Sequence, residues 1–270
     1  MLTDVATARD YARNAATGVD ERQKLLSAYA GDTWGNLWRF NGGTTPHVVA
    51  SLGCNHPLHF APTVVQLDRD DPTNHPREIY LVQVTNSTLD DATQGFEPSH
   101  MVFMREIADG DGNLTSDTSF GTNGQIVLKV GEAPRMCAIT DASGTDCMLE
   151  MPLVARPMST PLAVLRQDGS GFLALSTWYV PAEGGCGKGT TYMQIHQYTA
   201  GQSILKQALK VGDEPISAPI VVGGKIMVMS SAGPVVINGS VLQNFVVGQS
   251  TPASNGVSAE PFKILGWTEL

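Results

Sequence analysis

Nowhere in the 270 residues is there a run of about 18 apolar side chains, the length a membrane-spanning helix needs. Positive charge is also scarce: 17 Lys and Arg stand against 26 Asp and Glu, for a formal net charge of −9. With no basic stripe to neutralise phosphates, the composition argues against nucleic acid as a partner. Cysteine occurs four times and never as Cys-x-x-Cys, which argues against a structural zinc site. No H-E-x-x-H helix, no G-x-S-x-G elbow and no convincing acid/base carboxylate pair is present, so nothing in the sequence indicates an enzyme. Gly184–Thr190 superficially looks like a phosphate loop, but Gly189 separates Lys188 from Thr190 and no helical pattern follows.

Turn residues, by contrast, are plentiful: 28 glycines and 16 prolines, in a chain that is 42% hydrophobic and 16% charged. That composition fits a globular chain rich in short strands and tight turns. The stretch ISAPIVVGGKIMVMSSAGPVVINGSV, residues 216–241, is the pattern at its clearest. Ile220–Val222, Lys225–Met229 and Val235–Ile237 read as three strands, the first two joined by the glycine pair 223–224, which can take a hairpin turn without a Cβ clash. The opening recurs as Met158–Pro161 and His59–Pro62, each followed by strand, turn, strand, loop, strand. Expected strands are 37–40, 47–52, 63–67, 78–85, 101–107, 125–130, 162–166, 171–178, 191–198 and 204–211. A supersecondary unit recurring at this length predicts an all-β chain forming part of a β-propeller, with about three and a half blades where closed propellers have about four to eight. The missing blades are expected in sequence preceding residue 1. Residues 1–28 read as an arm and one short N-terminal helix, Asp20 capping it and Leu25, Leu26 and Tyr29 at helical spacing. Residues 29–270 are the propeller portion, with a cysteine-bearing insertion at 134–152.

Cys137 and Cys147 flank a polar loop of a length that a disulfide closes readily, and a disulfide is the adopted reading; two independent thiols are the alternative. Cys54 and Cys186 also sit in loop-like sequence, and their pairing is a weaker option. Among the histidines, His56 and His59 share a loop with Cys54, but they read as surface or packing residues.

The sharpest local motif is DGDGNLTSD, residues 109–117. Side-chain oxygens of Asp109, Asp111, Asn113 and Asp117, with the carbonyl or hydroxyl of Thr115, are spaced to wrap one Ca2+, which takes about six to eight hard oxygen ligands. It is not an EF-hand, because Leu114 and Phe120 occupy the positions of that loop's glycine and final glutamate. The alternative is an Asp/Asn/Gly-rich hairpin turn that binds nothing.

YAGDTWGNLWRFN, from Tyr29 to Asn41, resembles a blade signature of the PilY/PilC proteins, the type IV pilus tip-associated adhesins: Y-x-G-D followed by G-N-x-W, a basic residue and F. Residues 172–201, with a cysteine- and glycine-containing loop between two strands, and the ending FKILGWTEL are similar to later parts of the same family. The resemblance spans about residues 29–270 and is patchy over 54–152. It implies a modified propeller related in shape to quinoprotein dehydrogenases but non-enzymatic, exported to the pilus tip or outer-membrane surface of a Gram-negative bacterium. There such a module supports pilus assembly, retraction control and adhesion. Minor pilins, a host or surface receptor and the remaining N-terminal part of its own chain are the implied partners. Calcium loops regulate some members, and Asp109, Asp111, Asn113 and Asp117 match their Asp-x-Asp-x-Asx-x-x-x-Asp pattern. Two other functions fit a propeller: a quinone-dependent dehydrogenase, for which Trp34, Trp38, Trp178 and Trp267 form no recognisable docking repeat, and a carbohydrate-binding module.

Overall fold

The structure is a computed structural model. It describes residues 1–13, 20–41, 45–67, 77–86, 99–108, 114–121, 125–129, 155–165, 171–182, 187–199, 205–222, 225–231 and 233–237. All regular structure among these residues is β, in four antiparallel sheets, and none of the sheets closes on itself. The chain divides into two compact units, Met1–Leu128 and Lys129–Leu270.

In the first unit, β1 (Ala6–Arg13), β2 (Asp20–Gly31), β3 (Asn36–Phe40) and β4 (His47–Ser51) form a sheet in chain order. The second sheet runs β5 (Thr63–Leu67), β6 (Arg77–Val84), β7 (His100–Ala108), β8 (Leu114–Ser116), with β9 (Gln125–Lys129) also on β7. The short helix expected before residue 29 is not there. Asp20–Gly31 is one long strand, paired with β1 from Tyr29↔Ala6 to Asp20↔Arg13 and with β3 from Ala28↔Phe40 to Gly31↔Leu37. A register shift between Ala8 and Arg9 offsets the strand midway, so the spacing of Leu25, Leu26 and Tyr29 mimics a helical period. Pairing on both edges of its C-terminal half outweighs the local helix propensity, which is a weak prior.

The two sheets of this unit share one core of Ala8, Tyr29, Leu37, Leu58, Val64, Ile79, Leu81, Val102, Met104 and Leu114. The strand expected at 37–40 alternates as a half-buried strand does: Leu37 and Arg39 are buried, while Trp38 and Phe40 are half-buried on the opposite face. In the middle of β6 and the first half of β7 both faces are apolar, and Tyr80, Val82 and Phe103 are as buried as Ile79, Leu81 and Val102. Full burial of one such side chain contributes about 1.5–3 kcal/mol.

The second unit repeats the scheme. β12 (Gly171–Val180), β13 (Thr190–Thr199) and β14 (Leu205–Gly212) run antiparallel, with β10 (Arg156–Pro157) and β11 (Leu162–Leu165) both on β12. β15 (Ile220–Val222), β16 (Lys225–Ser230) and β17 (Gly233–Ile237) form the three-stranded meander expected from residues 216–241. Leu173, Leu175, Met193 and Ile195 pack against Ile216, Ile226 and Val228 in the shared core. Gly171–Trp178 is buried without interruption, the pattern of a strand covered on both faces.

Candidate functional site

The signature stretch Tyr29–Phe40 is a strand–corner–strand unit centred on Asp32. Its Oδ1 accepts hydrogen bonds from the Trp34 and Asn36 amides, both at 2.9 Å. Its Oδ2 accepts from Asn36 Nδ2 at 3.1 Å and from the Trp38 indole Nε1 at 2.7 Å. Burial alone would raise the Asp32 pKa, but the bonds from Trp38, Asn36 and Trp34 outweigh it and hold the carboxyl below its ordinary value. Gly35 has φ of +80°, and a Cβ there would lie 2.2 Å from the Gly53 carbonyl oxygen. The corner is stitched to the following loop by Leu52 N to Gly35 O (2.8 Å) and Leu58 N to Asp32 O (3.0 Å).

The ends of the same stretch reach into the core. Tyr29 Oη donates to Glu106 Oε2, Arg39 Nη1 donates to Glu106 Oε1, and Ser116 Oγ lies 3.4 Å from Glu106 Oε1. Tyr29 and Arg39 are register partners on β2 and β3, and Glu106 comes from β7 of the facing sheet. The Glu106 side chain is fully buried and that of Arg39 is 10% exposed. Burial first, and then the neighbouring Glu106, raise the Tyr29 hydroxyl far above the usual tyrosine pKa, so it stays a donor. The sequence reading did not single out Glu106. It sits within an apolar strand, and its partners lie 67 and 77 positions away.

On the opposite face of the same sheet, Arg105 binds Asp117 Oδ2, with Nε at 2.6 Å, and Asp117 Oδ1 accepts from the Ser119 amide at 2.9 Å. The guanidinium also lies over the Phe120 ring, 5.1 Å from its centroid, and 3.8 Å from Glu78. Burial would raise the Asp117 pKa, but Ser119 and Arg105 bring it below the ordinary carboxylate value. Of the five proposed calcium ligands, Asp109, Asp111 and Asn113 lie outside the described residues. Thr115 is exposed in β8, its hydroxyl 3.4 Å from the Ile107 carbonyl, and Asp117 opens the turn after that strand. Among the described residues, no group of three or more His, Cys, Asp or Glu side chains is placed to hold a metal ion.

Cys54 is an exposed free thiol, while Cys137, Cys147 and Cys186, and the insertion 134–152, lie outside the described residues. The described histidines divide as packing and surface residues: His100 and His196 are buried, His47 and His59 exposed, and the His56 and His100 rings lie 4.2 Å apart between centroids, tilted by 37°, while His75 lies outside the described residues. No helix among the described residues is long and apolar enough to cross a membrane. Neither the known protein families nor the curated proteins compared with the chain give a match.

Proposed function

We propose that this chain is a non-enzymatic extracellular binding module: the C-terminal propeller portion of a type IV pilus tip-associated protein, supporting pilus assembly, retraction and surface adhesion. The observation that carries the proposal is the Asp32 corner. The residues through which the sequence resembles that family, Tyr29, Gly31, Asp32, Gly35, Asn36, Trp38 and Arg39, each have a structural task in one hairpin and its anchorage. A stretch used in this way is a building element of a blade, and loops carried by rigid sheets are then free to bind partners. The buried ionisable cluster supports a structural use of its charges, since Glu106 is enclosed between its own partners.

In this proposal the module acts at the pilus tip or outer-membrane surface of a Gram-negative bacterium, and contacts minor pilins and a host or surface receptor through its blade loops. Calcium held by Asp109, Asp111, Asn113, Thr115 and Asp117 would order one of those loops. The test is direct binding of the purified chain to immobilised minor pilins, with about 1 mM calcium and with chelator, the range in which extracellular calcium modules respond. Saturable binding that weakens in chelator is the expected result. No binding in either condition, together with dehydrogenase turnover once a quinone cofactor is supplied, would replace this function with the enzymatic one.

A further inference from the structure

We draw no further inference here: the strongest candidate, the exposed apolar outer face of the three-stranded sheet β15–β17 that carries Ile220, Val222, Met229 and Val236, carries nothing because nothing among the described residues shows what covers it.

Discussion

Asp32 gives four hydrogen-bond donors one carboxylate, and three of those donors belong to the corner it closes, with the Trp38 indole supplying the fourth. Bonds to a charged group are worth about 1.5–3 kcal/mol each in favourable settings, so Asp32→Ala is expected to cost about 2–4 kcal/mol in chemical denaturation, with Asp32→Asn in between. The pH sign follows from the lowered pKa. The unfolded carboxyl titrates near pH 4, so the corner's contribution is complete above that value and is lost as pH falls through the lower folded value. The stability decline of the parent on acidification should therefore flatten in Asp32→Asn. Glu106 behaves differently because its partner is itself buried. Glu106→Leu strands the Arg39 guanidinium and should cost about 3–5 kcal/mol, whereas Glu106→Leu with Arg39→Met should recover most of that loss. Equal losses in the single and double variants would show that the pair does not act as a unit. Asp117 links this scale to the proposed calcium loop, since Arg105 now engages the oxygen a cation would take. If the loop binds calcium, the midpoint of thermal unfolding rises with calcium in the parent and not in Asp111→Ala, while Arg105→Met, which frees Asp117, tightens binding. Indifference of all three proteins to calcium would leave the loop an ordinary turn.

At the scale of elements, most strands were legible because their signals are local. Thr63–Leu67, Ile220–Val222 and the other β-branched runs end at Gly, Pro, Asn or Asp, and the structure places strands within a residue or two of the expected bounds. The β1–β2 hairpin was not legible. Its N-terminal half is charged, its two strands are offset by the register shift at Ala8, and its pairing with β3 depends on the corner rather than on its own composition. β8 was hidden for a related reason: three residues within an Asp/Gly-rich motif carry no periodicity, and the strand exists by pairing with β7. The Asp32 corner was half legible, as a sequence motif but without the sharing of its carboxylate. Gly35 tests how tightly the element is built. Gly35→Ala combines a positive φ with a backbone oxygen 2.2 Å from the new Cβ, so it should destabilise by more than the roughly 1 kcal/mol of an ordinary left-handed position. Gly53→Ala, also at positive φ but with nothing within 4 Å of the new atom, should cost less. Reversal of that order would show that the loop yields rather than clashes.

Across the whole molecule, sheets pack in face-to-face pairs, each pair around its own core: Leu81 belongs to the core of the first unit and Leu175 to that of the second. Both side chains are fully buried, and truncation to alanine at such positions costs about 2–5 kcal/mol depending on how far the site collapses. If each core is the cooperative unit, the loss stays within it. Hydrogen exchange of Leu81→Ala should then accelerate at the amides of β2, β3, β6 and β7, with β12, β13 and β16 keeping parental protection. Leu175→Ala should give the converse pattern. The double variant should show both changes, each within its own core. Uniform acceleration across all four sheets in either single variant would mean that the chain opens as one cooperative body, and that the two cores hold it together jointly.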